Sequence, residues 1–84
     1  MKSIFYAIIF GLFLTNLAWA QDGSAAYKEG KEAFIKRNYK GAIAKFTEVI
    51  KQDSTMADAY FMRGNAKYSL QNYTGALADF TKAV

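Results

Sequence analysis

The side chains best suited to acid–base chemistry are two carboxylates, Glu29 and Glu32, which lie three positions apart. Carboxylates at this spacing share a helix face, and such a pair can act as general acid and base. On a basic helix, however, the spacing is more typical of surface charge. The chain has no histidine and no cysteine, which excludes an imidazole base, a thiol nucleophile, disulfides and Cys/His zinc sites. We therefore expect no catalytic residue, no metal site and no cofactor.

The first 20 residues contain the three parts of a secretory signal peptide. Lys2 supplies the basic end, residues 4–14 form an apolar run without charge, and Ala18 and Ala20 form an A-x-A cleavage pattern. A transmembrane anchor would need about 20 apolar residues, and this run is shorter. We expect cleavage after Ala20, no stable membrane anchor, and a secreted or periplasmic product.

Cleavage would leave 64 residues with a net charge of +3. A chain of this size buries only about 60% of the surface that it exposes when unfolded, so we expect marginal stability. The basic excess lies mainly in residues 28–51, and it would suit an acidic partner. Nucleic acid is the alternative that this charge suggests, but export argues against it. We expect a protein or peptide partner and no nucleic acid.

The sequence repeats itself with an offset of 34 positions. Residues 23–50 align with residues 57–84 without a gap and give nine identities in 28 pairs. The identical pairs are Ala25/Ala59, Gly30/Gly64, Asn38/Asn72, Tyr39/Tyr73, Gly41/Gly75, Ala42/Ala76, Ala44/Ala78, Phe46/Phe80 and Thr47/Thr81. Internal repeats of this length indicate stacked supersecondary units.

Each repeat has the pattern of two helices. In its second half, apolar residues recur at i, i+3, i+4 and i+7, which is the spacing of a helix face. The complete lack of proline also favours helices. The sequence predicts an all-α fold with helices at about 24–37, 40–52, 56–71 and 74–84.

Five polar residues are predicted to mark helix ends. Asn38 and Asn72 precede the second helix of each repeat, where asparagine tolerates the left-handed conformation that ends a preceding helix. Thr55 and Asp58 have the spacing of a capping box for the third helix, and Ser24 is expected to cap the first.

The repeat resembles the tetratricopeptide repeat, a 34-residue helix–turn–helix unit with the pattern W-x2-L-G-x2-Y…A-x3-F…P. The matching residues are Gly30, Ala42 and Phe46 in one unit and Gly64, Ala76 and Phe80 in the next. Residues 23–56 form the first unit, and residues 57–84 form a second that is incomplete at its C-terminal end. The resemblance implies the start of a right-handed superhelix. It also favours a piece of a longer exported repeat protein, with further units after Val84.

Several positions depart from the family pattern. The tryptophan position holds Ala26 and Tyr60, the leucine position Glu29 and Arg63, the tyrosine position Ala33 and Lys67, and the closing proline is Ser54. The first helix of each unit therefore carries charges near the interface between helices. We expect them to be solvated, with an ion pair between Glu29 and Arg63 of adjacent units as the alternative.

Six residues are assigned to packing within the units. Gly30 and Gly64 lack a side chain where the second helix should cross, Ala42 and Ala76 meet them, and Phe46 and Phe80 fill the adjacent space. Glycine inside a helix costs up to about 1 kcal/mol relative to alanine, and close packing accounts for its use better than a ligand loop does.

The resemblance implies that the first helix of each unit lines a concave surface that binds a peptide or protein. The lining residues carried over are Tyr27, Lys28, Lys31 and Phe34 in the first unit and Asp58, Phe61, Met62, Asn65 and Tyr68 in the second. Aromatic rings beside polar donors suit an interface hot spot. The same aromatic residues could instead belong to the core. The lysine–asparagine clamp with which some members grip a terminal carboxylate is not predicted here.

The predicted function is a non-catalytic protein–protein interaction scaffold outside the cytoplasm. The alternative is a self-associating module, because about three repeats are usually needed for stability and this chain contains two. In that case the open end of the second unit would stack on another copy and give a homo-oligomer. The apolar residues at this end are Tyr73, Leu77, Phe80 and Val84.

Overall fold

Four α-helices make up the described part of the chain. The computed structural model describes residues 23–84, and side chains from residue 25 onward. The helices are α1 (Gly23–Ile35), α2 (Tyr39–Gln52), α3 (Ala57–Ser69) and α4 (Tyr73–Ala83). The prediction of an all-α fold is confirmed for these residues. The predicted leader at 1–20, with Ala18 and Ala20, and the side chain of Ser24 lie outside the described part.

The helices form two hairpins in the same register. Helices α1 and α3 both contain 13 residues and begin 34 positions apart. The first residues of α2 and α4 are also 34 positions apart. Helix α1 packs against α2, and α3 packs against α4. The hairpins are joined mainly through α2 and α3, while α1 contacts α3 at fewer positions.

Both hairpins turn through a residue with left-handed backbone. These residues are Arg37 (φ 62°) and Gln71 (φ 66°), and in each turn the N–H of the next residue donates to a carbonyl five positions back at 2.8 Å. The prediction that Asn38 and Asn72 themselves take this conformation is wrong. The left-handed residue lies one position earlier in each turn.

The two asparagines instead cap the helices that follow. Oδ1 of Asn38 accepts a hydrogen bond from the N–H of Gly41 at 3.0 Å, and Oδ1 of Asn72 accepts one from Gly75 at the same distance. A Cβ atom added to either glycine would lie 2.5 Å from Nδ2 of the capping asparagine. The close approach explains why asparagine and glycine recur together in both units.

The predicted capping box at the start of α3 does not form. The N–H and the hydroxyl of Thr55 both donate to Oδ1 of Asp53, at 3.0 and 2.5 Å, and the residue before α3 is Met56, which makes no side-chain cap. The side-chain bond from Thr55, and then its backbone bond, lower the pKa of Asp53 below its usual value. Thr55 therefore orders the loop between the units and does not cap the backbone N–H of Asp58.

The hydrophobic core lies between the first hairpin and α3. One cluster contains Ala26, Val49 and Ala59, with Tyr27, Ile50 and Met56 packed around it. The other contains Ala42, Phe46 and Ala66, surrounded by Tyr27, Ala33, Phe34, Tyr39, Ile43 and Met62. Since α3 completes both clusters, the first hairpin is covered by the second.

Candidate partner-binding surfaces

Two glycines allow the helices of each hairpin to approach closely. A Cβ atom at Gly30 would lie 2.8 Å from Cε1 of Phe46, and one at Gly64 would lie 2.6 Å from Cε1 of Phe80. The backbone oxygen of Ala76 would be 3.3 Å from the same Cβ at Gly64. Of the six residues assigned to packing, Gly30, Ala42, Phe46, Gly64 and Ala76 are buried, and Phe80 is partly buried.

The residues predicted to bind a partner fall into two groups. We call the side of α1 and α3 that carries them the first-helix face. On it the exposed residues are Lys28, Lys31, Asp58, Phe61 and Tyr68, with Asn65 partly exposed. The other three, Tyr27, Phe34 and Met62, are partly buried and pack against the cluster around Phe46. The second group therefore supports the joint between the hairpins, and the first group is accessible.

Tyr27 lies near one positive and one negative charge on this face. The Nζ atom of Lys31 is 4.9 Å from the centroid of the Tyr27 ring, which is a cation–π arrangement. Burial, and secondly the negative charge of Asp58, raise the pKa of the Tyr27 hydroxyl. Lysine from α1 and a carboxylate from α3 thus lie around one tyrosine. The first-helix face offers both signs of charge beside an aromatic ring.

Two aromatic residues of α3, Phe61 and Tyr68, are more accessible than their equivalents in α1. Phe61 and Tyr68 are 51% and 58% exposed. Tyr68 makes an edge contact with Tyr73, with ring centroids 5.1 Å apart, and Phe34 makes the same contact with Tyr39 at 5.3 Å. Only the Phe34–Tyr39 pair is covered by the core cluster that α3 completes.

Ile35 is an exposed apolar residue that the sequence-based prediction did not include. Its side chain is 80% exposed at the C-terminal end of α1. It lies four positions after Lys31, which places the two on neighbouring parts of one helix face. The sequence could have identified it, because this isoleucine lies outside the packing pattern of its helix.

A buried ion-pair cluster holds α3 against α4. Nε and Nη2 of Arg63 donate to the two carboxylate oxygens of Asp79 at 2.8 and 2.7 Å, and Nζ of Lys67 lies 3.0 Å from Oδ2. Nη1 of Arg63 also donates to Oγ1 of Thr47 in α2 at 3.2 Å. The Asp79 side chain is only 5% exposed. Three helices are therefore joined through one guanidinium group.

Asp79 carries its negative charge at neutral pH. Burial alone would raise the pKa of Asp79, but the hydrogen bonds from Arg63 and Lys67 outweigh it and hold that pKa below its usual value. The hydrogen bond to Asp79 raises the pKa of Arg63, with burial acting in the opposite direction. Because both oxygens of Asp79 are engaged, the geometry gives this carboxylate a structural role.

The first unit contains the same ion pair with the charges exchanged. Nζ of Lys45 lies 2.9 Å from Oε2 of Glu29, and positions 29 and 45 are the equivalents of 63 and 79. The expectation of solvated charges is wrong for Arg63, whose side chain is 17% exposed, whereas that of Glu29 is 53% exposed although it pairs with Lys45. The alternative of a pair between Glu29 and Arg63 is wrong. Each residue pairs within its own hairpin, because the facing helix supplies the opposite charge sixteen positions later.

Comparisons of the chain with models of protein families, with curated proteins and with solved structures give no match. Within residues 23–84, none of the helices has both the length and the apolar character needed to cross a membrane. In the same residues, no three carboxylates are grouped closely enough to hold a metal ion.

Proposed function

We propose that this chain is a non-catalytic protein-interaction module, which binds an extended peptide segment of a partner on the first-helix face. The main support is the group of accessible side chains on this face, which are Lys28, Lys31, Asp58, Phe61 and Tyr68. Lys28 and Lys31 of α1 and Asp58 of α3 are exposed, and the last two lie around Tyr27.

We assign the two hairpins to the tetratricopeptide type. The offset of 34, the identical glycine, alanine and phenylalanine positions in both units, and the close contact of each glycine with its phenylalanine support this assignment. Stacked helix pairs of this kind present an extended surface suited to peptides.

The charges on the first-helix face favour a particular ligand. Lys28 and Lys31 are both exposed on α1, and the apolar side chain of Ile35 follows them. Phe61 and Tyr68 on α3 are exposed rings. A peptide with an acidic side chain that faces α1 and an aliphatic or aromatic side chain that faces α3 would satisfy both surfaces.

Export is part of the proposal. The basic end, apolar run and A-x-A pattern within residues 1–20 support a cleaved leader and a secreted or periplasmic location. The lack of cysteine is compatible with an oxidising compartment, since no thiol is present there to be oxidised.

The charge reversal K28E/K31E tests the peptide-binding surface. Peptides selected from a random phage-displayed library with the wild-type chain would be titrated against wild type and variant. We expect affinity for acidic peptides to fall by about tenfold, because two attractive contacts become repulsive.

The double variant K40E/K51E is the matched control. Lys40 and Lys51 are exposed on α2, so the net charge changes equally while the first-helix face is preserved. Equal losses of affinity in the two variants would show that the effect comes from net charge and not from the first-helix face. If no peptide is enriched, or if K28E/K31E binds the selected peptides as wild type does, the proposed function is wrong.

A further inference from the structure

The closest apolar contact within each hairpin is the same in both units, so it does not determine which helices pair. Gly30 of α1 meets Phe46 of α2, and Gly64 of α3 meets Phe80 of α4. Helix α1 would therefore find on α4 the same phenylalanine that it packs against on α2. Wrong association of equivalent elements is a characteristic fault of repeat proteins.

The charges between the paired helices are what differ between the units. In the first hairpin, Nζ of Lys45 lies 2.9 Å from Oε2 of Glu29, so the first helix carries the carboxylate. In the second hairpin, Nη2 of Arg63 lies 2.7 Å from Oδ1 of Asp79, so the second helix carries it. Positions 29 and 63 are equivalent, and so are positions 45 and 79. The polarity of the ion pair is thus opposite in the two hairpins.

Lys67 increases this difference, because the equivalent position in the first unit is uncharged. Nζ of Lys67 lies 3.0 Å from Oδ2 of Asp79, and the equivalent residue is Ala33. Helix α3 therefore directs two cations at one carboxylate of α4. The side chain of Asp79 is 5% exposed, so a wrong partner helix would leave a buried charge uncompensated.

An exchange of helices between hairpins would bring like charges together. In the geometry of these hairpins, α1 on α4 would place Glu29 against Asp79 and remove both cations from that carboxylate. Helix α3 on α2 would place Arg63 and Lys67 against Lys45. Like charges held together in this way cost free energy, whereas each native hairpin joins opposite charges.

We infer that the opposite polarity of the two ion pairs specifies which helices form each hairpin and prevents mixed pairing between copies of this chain. The short turns at residues 36–38 and 70–72 already favour pairing of neighbouring helices. At high protein concentration, helices of another copy compete with these neighbours, and the charges then oppose the wrong choice. The inference concerns helix pairing and does not depend on the proposed peptide binding.

The double variant E29K/K45E tests this inference. It exchanges two residues and gives both hairpins the same polarity, while composition, net charge and the possibility of an ion pair within the first hairpin are kept. Wild type and variant would be unfolded in urea, refolded at a series of protein concentrations and examined by sedimentation velocity. We expect the variant to form oligomers at a concentration at least about tenfold lower than wild type, because a repulsive contact no longer opposes mixed pairing.

Chemical cross-linking identifies the helices that pair in these oligomers. A carbodiimide joins a lysine amine to a neighbouring carboxylate. In a mixed pair, the amine introduced by Glu29→Lys would lie against Asp79 of another copy, whereas α1 and α4 make no extensive contact within one chain. Oligomers formed from 15N-labelled and unlabelled variant should therefore contain a link between positions 29 and 79 of different copies, which mass spectrometry detects.

Two further double variants are the matched controls. E29Q/K45Q removes the ion pair without reversing its polarity and should form oligomers at nearly the wild-type concentration. E32K/K36E exchanges two exposed residues at the end of the first helix region and should behave as wild type. Glu48 lies 3.9 Å from Lys45, so K45E places two carboxylates together. If this lowers stability, the 29–79 link still distinguishes mixed pairing from association of unfolded chains.

Any of three results would overturn the assigned role of the polarity. The first is that E29K/K45E forms oligomers only at the concentration at which wild type does. The second is that either control variant shows the same change as E29K/K45E. The third is that the oligomers of E29K/K45E contain no link between positions 29 and 79.

Discussion

At the scale of single residues, two glycines face phenylalanine rings that differ in their freedom to move. Phe46, opposite Gly30, is fully buried between the hairpins, and Phe80, opposite Gly64, is partly exposed. A ring in a close-packed core cannot shift to make room for an added methyl group. A ring at the surface can turn away from it.

Gly30→Ala should therefore destabilise the chain more than Gly64→Ala. We expect the first to lower the free energy of unfolding by about 1–3 kcal/mol through overpacking. For the second, the gain in helix propensity of up to about 1 kcal/mol offsets much of the strain. Urea unfolding followed by circular dichroism measures both. Equal losses of unfolding free energy would contradict the argument that the partly exposed Phe80 ring can move and the buried Phe46 ring cannot.

At the scale of helices, a buried charge cluster joins α3 to α4 beside their apolar contacts. Arg63, Lys67 and Asp79 form a cluster in which the carboxylate is almost fully buried, and Thr47 extends it to α2. Because the pKa of Asp79 is lowered in the folded chain, its charge stabilises the fold above its unfolded pKa of about 3.9. This stabilisation is lost as the pH falls through the lower pKa of the folded state.

Asp79→Asn should cost about 1.5–3 kcal/mol at pH 7, the range for hydrogen bonds to a charged group. The difference from wild type should stay constant down to about pH 4 and shrink below it, as the wild-type carboxylate is protonated. Thermal unfolding from pH 7 to pH 2.5 (about the range over which a carboxylate titrates) measures this. Glu32→Gln, which removes an exposed carboxylate of α1, is the control. A difference that does not change with pH would contradict the assigned role of the charge.

The sequence predicted the number and order of helices because the 34-residue offset places the same apolar spacing twice. It misplaced the helix ends, since Arg37 and Gln71 take a left-handed conformation that their residue types do not favour. The ion pairs were missed for a different reason. Glu29 and Lys45 are sixteen positions apart, and only the packing of one helix on the next brings them together.

The candidate site could be predicted only in part. Helical spacing placed Lys28, Lys31 and Asp58 on accessible surfaces, where the structure has them. Helical spacing could not determine whether the aromatic residues lie in the core or on the surface. Phe34 and Tyr68 occupy equivalent positions, but α3 covers the first and no described residue covers the second to the same extent.

At the scale of the whole molecule, α3 covers the first hairpin, and within residues 23–84 Tyr73 and Leu77 of the second hairpin are exposed. The described residues therefore contain two accessible regions of different chemistry. The first-helix face combines lysines, a carboxylate and exposed rings, and the exposed side of α4 carries the large side chains of Tyr73 and Leu77. A charged peptide suits the former.

Chemical-shift mapping with a library-selected acidic peptide tests the proposed function most directly. The peptide would be titrated into the 15N-labelled chain and the backbone amides followed. We predict that the largest shifts fall within residues 27–35 and 58–69, with α2 and α4 little changed. Shifts concentrated in α2 or in the outward side of α4, with α1 unaffected, would contradict a binding site on the first-helix face.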